Sequence, residues 1–229
     1  KDTLGERGLN KVSWTDGMNF VRSRKRVYGA YLLGAPFIII TLYALQAWIP
    51  TLLIRVHQMG IAEAGRLYGS IALLCGSLGV LTGPVLAKYL VRKGHKDSAL
   101  KVAIFASVLL LPSIIVAGST ADLDHALIAI AISSFLVTTP MALFTTGLQA
   151  VTPNEMRGVI AGIYVVTANL FGLALGPTSV ALATDYVFSD PNAVGASMAL
   201  VCGVSLPIAV LMFYFGLGGN SDVDSGRGF

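Results

Sequence analysis

Uncharged polar side chains recur inside long apolar stretches of this sequence, and they are the residues whose types and spacing could bind a solute. Tyr43 and Gln46 lie three residues apart in the first stretch, and later stretches hold Ser134, Thr138, Tyr164 and Asn169. Hydroxyl, phenol and amide groups in an apolar wall can line a cavity and bind a small molecule by hydrogen bonds and aromatic contact. The alternative is that these groups bond one helix to another, which is worth about 1 kcal/mol apiece in a membrane.

The groupings that would support catalysis are absent from the sequence. Nucleophilic chemistry within a membrane needs a Ser and a His buried together, whereas His57, His95 and His125 all lie in or beside connections between apolar stretches. The sequence also contains no HExxH motif, no cysteine cluster and no glycine-rich loop followed by the Lys of a phosphate site. We therefore predict no enzyme, no cofactor and no metal site.

The elements that position these residues follow from the composition. Of the 229 residues 55% are hydrophobic and 12% are charged, and that charged share is about half of the roughly 25% expected of a soluble domain. Six stretches approach or exceed the roughly 20 apolar residues that a helix needs to cross a bilayer. We predict an all-α membrane protein with a bundle over residues 27–220, a linker over 1–26, a tail over 221–229, and spans at about 27–54, 67–87, 102–121, 126–150, 158–184 and 193–217.

Charged residues predict how the bundle is oriented. All Lys and Arg residues except Arg55 and Arg66 lie near the termini or in the connections 88–101 and 151–157, whereas the other connections carry Glu63 and four Asp residues. Because cytoplasmic loops collect Lys and Arg, we predict that both termini are cytoplasmic, in a plasma membrane such as the bacterial inner membrane. The basic run over 22–26 can meet anionic lipid headgroups. The net charge of +4 reflects this asymmetry and indicates no nucleic-acid partner.

The interiors of the six spans carry no Asp, Glu, Lys, Arg or His. Ionisable groups within a membrane usually mark proton relays, so a proton-driven transporter would need its titrating group elsewhere. Thr138, Thr139 and Pro140 form the best candidate for a bend, since proline removes a helical hydrogen bond. Glycines four residues apart in the second and fifth spans predict close helix contacts.

The stretch "TPNEMRGVIAGIYVVTANLFGLALGPTSVALATDYVF" carries a family resemblance. It resembles the connection between the tenth and eleventh helices, together with the eleventh helix, of major facilitator superfamily transporters, and it is most similar to Spinster-like members and their bacterial relatives. The residues that match are Pro153, Arg157, Gly158, Gly176, Pro177 and Asp185. In such a turn at the membrane surface, we expect Arg157 to reach lipid headgroups or neighbouring helix ends.

A second stretch, "GPVLAKYLVRKGHKD", resembles the cytoplasmic signature loop of the same superfamily. Gly83 and the basic group around Arg92 fit the pattern, but Lys88 stands where the family has an acidic residue. The resemblance therefore implies that this loop cannot make the usual carboxylate contact that closes the gate.

The resemblance identifies the chain as the carboxy-terminal half of a twelve-helix transporter, helices seven to twelve. It implies an amino-terminal six-helix half as partner and secondary active transport of a small organic or amphipathic solute, either lipid-like or an organic anion, by alternating access. Helices seven, eight, ten and eleven would approach the substrate path, which favours the polar residues of the first, fourth and fifth spans. The alternative is a truncated membrane scaffold or remnant that transports nothing.

Overall fold

The computed structural model describes residue 22 and residues 24–95 and 97–217 of the chain. Within these ranges the regular elements are all helical, as lipid requires, because a helix satisfies its backbone hydrogen bonds within one segment. Six helices are long and apolar enough to cross a membrane, and we number them spans 1 to 6: Lys25–Arg55, Ile61–Arg92, Ser98–Ser119, Leu123–Val151, Asn154–Phe188 and Val194–Gly216. The predicted fold class is confirmed. Most of the predicted linker and all of the predicted tail lie outside the described residues.

Four of the spans are not uniform α-helices. The α-helical segments are Lys25–Gly29, Ala35–Arg55, Ile61–Ile71, Ser77–Arg92, Ser98–Ser119, Leu123–Thr138, Met141–Val151, Arg157–Leu182 and Val194–Gly216. Wider π-helical turns cover Ala30–Gly34, Ala72–Gly76 and Ala183–Phe188, and a 3-10 turn covers Asn154–Met156. Such π-helical turns within α-helices are frequent at functional sites. Span 4 is interrupted at Thr139 and Pro140, where the sequence predicted a bend.

Span 2 begins earlier than its charge-free stretch indicates. The charge-free stretch starts at Leu67, but the helix starts at Ile61 and includes Glu63 and Arg66. Both charged side chains are exposed, so neither has to be buried in the bundle. Glu63 also lies in the first turn, where the positive end of the helix dipole favours a carboxylate.

Short connections join consecutive spans and place them in alternating directions. One end of the bundle holds the connections over residues 93–97 and 152–153, and we call it the basic end because Arg92, Lys93, Lys101 and Arg157 lie there. The other end holds the connections over 56–60, 120–122 and 189–193, and we call it the acidic end because it carries Asp122, Asp124 and Asp190.

Glycines set the distance between the most closely packed spans. A Cβ added to Gly176 in span 5 would lie 2.7 Å from the Ile40 carbonyl oxygen of span 1. Gly195 in span 6 and Gly118 in span 3 bring their backbones into direct contact in the same way. Such close approach lets dispersion forces hold helices together where lipid supplies no hydrophobic driving force. Spans 1 and 5 form one tightly packed pair and spans 3 and 6 another.

Candidate functional site

Tyr43 of span 1 and Asn169 of span 5 form a hydrogen-bonded pair midway along the bundle. The Tyr43 hydroxyl donates to Asn169 Oδ1 at 3.1 Å, and Asn169 Nδ2 donates to the Val165 carbonyl at 2.9 Å. Gly172, one helical turn further along span 5, allows the approach, because a Cβ there would lie 3.0 Å from the Tyr43 ring. Asn169 is exposed and Tyr43 is half-buried. The phenol oxygen and the second amide N–H therefore remain for a solute.

Trp48 lies one turn along span 1 from this pair and holds the same two spans together. Its indole Nε1 donates to the Pro177 carbonyl at 2.9 Å. Since an indole has a single donor, Trp48 has no further hydrogen bond to offer. Its role in the structure is to join spans 1 and 5 on the acidic-end side of Tyr43.

Gln46, Ser134 and Thr138 come together around a second feature, a cavity of about 50 Å³ between spans 1, 2 and 4. Tyr68 and the π-helical residues Ala72 and Gly76 also line it. The Thr138 hydroxyl lies 2.9 Å from the Gly76 carbonyl oxygen of span 2. Thr138 thus makes the helix-to-helix bond that was the alternative to cavity lining, and it also faces the cavity. We name this feature the break cavity, because it adjoins the interruption of span 4.

Tyr164 is placed apart from the Tyr43–Asn169 pair. It lies five residues before Asn169, which at 3.6 residues per turn is about 140° around the helix. The side chain is 8% exposed and lines a pocket of about 30 Å³ between spans 4 and 5, which it shares with Gln149 and Arg157. The structure therefore groups Tyr164 with the turn at the basic end.

Arg157 caps the basic end of span 4. Its Nε lies 3.0 Å from the Gln149 carbonyl oxygen and 3.2 Å from that of Thr152, both of which belong to the last turn of span 4 or its cap. Carbonyl groups at a helix C-terminus lack intrahelical partners, and a cation there also interacts favourably with the negative end of the helix dipole. The expectation that Arg157 reaches a neighbouring helix end agrees with this geometry.

Tyr28 of span 1 joins the same turn, and sequence reasoning missed it. Its hydroxyl lies 3.2 Å from the Val151 carbonyl oxygen and 3.0 Å from Thr152 Oγ1. Thr152 is therefore held from two sides, by Tyr28 through its side chain and by Arg157 through its carbonyl. No signal in the sequence links Tyr28 to a residue 124 positions away.

A single stripe of span 5 connects the basic end with Asn169. Gly158, Gly162, Val165 and Asn169 follow one another at intervals of four, three and four residues, which places them on one helix face. All four are exposed, and a Cβ added to either glycine would meet nothing within 4 Å. We call this face the open stripe. The described spans leave it uncovered, whereas Gly172 and Gly176 further along the same helix are covered by span 1.

Gly83, Lys88 and Arg92 follow one another along the second half of span 2. Gly83 is buried where span 2 crosses span 4, and a Cβ there would collide with the Thr139 carbonyl. Lys88 and Arg92 are exposed in the last turns before the basic end. The structure thus gives Gly83 a packing role, and a gating role for the three residues stays a prediction.

Asp122 caps span 4 at the acidic end. Its Oδ1 accepts the backbone N–H groups of Asp124 at 2.9 Å and of His125 at 3.1 Å, which is the ordinary way in which an aspartate satisfies a helix N-terminus. The backbone hydrogen bond from His125 is the largest cause that lowers the pKa of the Asp122 carboxyl below its usual value. This carboxylate stabilises the start of span 4 and takes no part in the polar sites at mid-depth.

Together these features define an integral membrane bundle whose mid-depth polar groups lie partly on an uncovered face. The chain belongs to the Major Facilitator Superfamily, because the sequence model of that family matches residues 1–177. The expected family and the six-helix half-bundle are thus confirmed. Among the described residues, no group of three His, Cys, Asp or Glu side chains could hold a metal ion.

Three similar proteins show what kinds of molecule share this sequence and fold. A probable galactarate/D-glucarate transporter of Bacillus subtilis (strain 168) is 30% identical over 158 residues, which cover 65% of this chain and 32% of that protein. An MFS-type efflux pump of Mycolicibacterium smegmatis is 25% identical over 180 residues, which cover 78% and 41%. The crystal structure of a bacterial homolog to the human lysosomal transporter Spinster, inward-facing and unoccupied, matches with a TM-score of 0.66 at 17% identity over 98% of this chain and 52% of that one. The chain spans less than half the length of the two curated relatives.

Proposed function

We propose that this bundle is the carboxy-terminal half of a secondary active transporter that moves a small organic solute by alternating access. The observation that carries the proposal is the Tyr43–Asn169 pair, which offers hydrogen-bonding groups at mid-depth, next to an uncovered helix face. An exposed amide is costly against lipid, so this face is better explained by a second bundle and a polar path between the two. Transporters of this architecture bind their solute near the membrane midplane, between two bundles that rock against each other.

For the solute we propose a hydroxylated organic acid. Two arguments support this choice: the similarity to a galactarate/D-glucarate transporter and the neutral chemistry of Tyr43 and Asn169. Phenol and amide groups can donate to and accept from solute hydroxyls, but they do not neutralise a carboxylate. The amino-terminal bundle would therefore supply the cations that bind the acid groups.

An amphipathic solute is the second candidate, favoured by an apolar cleft between spans 1 and 5. The cleft has a volume of about 230 Å³ and is lined by Phe37, Phe171 and Leu175 among other apolar residues. Ile40, which also lines it, lies one turn before Tyr43, so an acyl chain in the cleft would leave a polar group within reach of the Tyr43–Asn169 pair.

The orientation that we propose places the basic end in the cytoplasm and the acidic end outside, in the plasma membrane. Its basis is the excess of Lys and Arg at one end. Thiol labelling tests it: in intact cells, a membrane-impermeant reagent should label Asp190→Cys at the acidic end and leave Lys93→Cys at the basic end unlabelled. The reverse pattern would contradict the orientation. Both side chains are exposed, and the native Cys75 and Cys202 lie within spans.

Transport is tested with this chain together with its amino-terminal bundle in proteoliposomes. Radiolabelled D-glucarate should accumulate when a proton or sodium gradient is imposed, and unlabelled galactarate should compete with it. Competition by a lysophospholipid alone would instead favour the amphipathic solute. If the two bundles assemble but neither class of solute is transported, the result would contradict the transporter and favour the non-transporting scaffold.

A further inference from the structure

The break cavity differs from the Tyr43–Asn169 site in its size. Its volume of about 50 Å³ exceeds the roughly 10–15 Å³ that one water needs by the same kind of measure. A six-carbon acid does not fit into such a space. The cavity can hold a few water molecules or one small dehydrated ion, and its occupant is therefore a different species from the transported organic solute.

Two helix irregularities meet at this cavity. Span 2 passes it in the π-helical turn Ala72–Gly76, and span 4 is interrupted just beyond Thr138. Pro140 has no N–H group, so the Leu136 carbonyl lacks the amide that would follow it in a continuous helix. Val137 and Thr139 are each only 2% exposed, which means that the first half of span 4 ends inside the protein. Carbonyl groups at such a buried end carry the negative pole of the helix dipole.

Several oxygen atoms meet at this place. The Thr138 hydroxyl lies 2.9 Å from the Gly76 carbonyl oxygen, 2.9 Å from that of Ser134 and 3.1 Å from that of Phe135. A hydroxyl has one proton and can donate it to one acceptor at a time. The side chains of Ser134 and Gln46, which line the same cavity, add two further oxygen atoms. A carbonyl oxygen has two lone pairs, so a carbonyl of Gly76 or Ser134 that does not receive the Thr138 proton keeps a lone pair for a cation, as do the oxygen atoms of the lining side chains.

Such a cluster is suited to a cation that prefers oxygen ligands. Interrupted helices in membrane transporters coordinate ions with backbone carbonyls and with the C-terminal ends of half-helices. The break cavity has a buried half-helix end, a π-helical turn on the facing span and four neutral side chains with oxygen atoms, those of Gln46, Tyr68, Ser134 and Thr138. No carboxylate lines it, so a cation there would meet neutral oxygen ligands only, which suits a single positive charge better than the double charge of ions that take carboxylates.

We propose that the break cavity binds one dehydrated monovalent cation of the size of sodium through oxygen atoms of Gln46, Ser134 and Thr138 and of the neighbouring backbone. Binding would join spans 1, 2 and 4 at the point where spans 2 and 4 are least regular. The use of this cation as a coupling ion rests on the proposed transport function, whereas the binding of the cation does not.

Sodium binding is measured without transport, by thermal unfolding of the purified chain assembled with its amino-terminal bundle. Replacing choline chloride by sodium chloride at constant ionic strength should raise the unfolding temperature in a saturable manner, because a ligand that binds only the native state stabilises it. Gln46→Leu, at an exposed position, and Thr138→Val should each raise the half-saturating sodium concentration about tenfold or more, as expected for the loss of one bond to a charged group.

Two variants serve as controls. Thr138→Ser keeps the hydroxyl and should restore the sodium response, which separates a lost ligand from a merely weakened helix crossing. Thr146→Val makes the same change on span 4 at an exposed residue whose hydroxyl bonds within its own helix, 2.9 Å from the Ala142 carbonyl oxygen, and its sodium response should match that of the wild type.

Equal unfolding temperatures in sodium and choline would overturn the proposal, as would a wild-type sodium response in both Gln46→Leu and Thr138→Val. Proton-driven solute transport without any stabilisation by sodium would refute this inference and leave the proposed function standing. Stabilisation by sodium that Gln46→Leu abolishes, in a protein that transports no solute, would support the cation site and refute the transport function.

Discussion

Replacing Arg157 by Ala tests whether the turn between spans 4 and 5 is a fixed structural unit. The change removes the bonds from Arg157 Nε to the Gln149 and Thr152 carbonyls, at 3.0 and 3.2 Å. A hydrogen bond from a charged donor contributes about 1.5–3 kcal/mol when it is well shielded. Arg157 is exposed and its Nε–H is shared between the two acceptors, so solvent reduces the expected loss to about 1–2 kcal/mol in total.

The assay is thermal unfolding of the bundle assembled with its amino-terminal half, combined with transport of the same sample. A loss of 1–2 kcal/mol corresponds to about 2–8 °C for a protein of this size. Arg157→Lys is the matched control, since lysine keeps the charge near the helix end but lacks the planar guanidinium, and it should lose less stability than Arg157→Ala. Transport should fall in Arg157→Ala, because the turn then no longer holds the two spans at a fixed spacing.

A double-mutant cycle with Tyr28→Phe sharpens this test. Tyr28 holds the Thr152 side chain and Arg157 holds the Thr152 carbonyl, so the two losses should not add, and they should differ from additivity by about 0.5 kcal/mol or more. The reasoning would be refuted if Arg157→Ala unfolded at the wild-type temperature. Strict additivity of the two changes would likewise show that the turn is not one unit.

Three further predictions concern the open stripe, the polar pair and the acidic end. Gly162→Leu should not lower the unfolding temperature, since leucine forms helices better than glycine, but it should reduce transport because it would obstruct a second bundle. The control Gly203→Leu in span 6, also in open space, should have the same effect on stability and leave transport unchanged. Asn169→Ala should raise the half-saturating solute concentration about tenfold, the cost of one hydrogen bond to a charged or strongly polar solute, and Tyr43→Phe should do the same; wild-type values in both would contradict the site. Asp122 has a lowered pKa in the folded state, so its stabilisation is present above its unfolded pKa of about 4 and is lost as the pH falls through the folded pKa. Between about pH 5 and pH 2 the wild type should therefore lose more stability than Asp122→Asn, and parallel losses would argue against this role.

The sequence was sufficient for the spans because lipid imposes a strong constraint on composition. A stretch such as 126–150 without charge has no stable place other than a membrane or a core, and the structure has a span there from Leu123 to Val151. The bend at Pro140 was a candidate because proline removes a helical hydrogen bond, but proline alone does not mark an interruption, since Pro50, Pro84 and Pro112 lie inside continuous helices. The early start of span 2 could not be predicted from the sequence, because exposed Glu63 and Arg66 remove the apolar signal without ending the helix.

Pairing between residues distant in sequence was beyond what the sequence alone could predict. Tyr43 and Asn169 are 126 positions apart, and their contact depends on the rotation of two helices that Gly172 and Gly176 bring together. The sequence placed Tyr164 and Asn169 in one span as candidates for the same cavity, but in the structure they lie on different faces of span 5. Gln46, Ser134 and Thr138 line one cavity together with the π-helical turn of span 2, for which the sequence carries no clear mark.

The open stripe connects these separate features. Along span 5, Gly172 and Gly176 are covered by residues of span 1. Gly158 and Gly162 have the same spacing and residue type, but they face empty space. Lipid gives no reason to keep two glycines on an uncovered helix face, since glycine costs about 1 kcal/mol relative to alanine in a helix. A second bundle that approaches the basic end and withdraws again does give a reason, because it needs a smooth surface at that place. Asn169 lies on the same stripe, so the surface that would open and close leads directly to the polar pair at mid-depth.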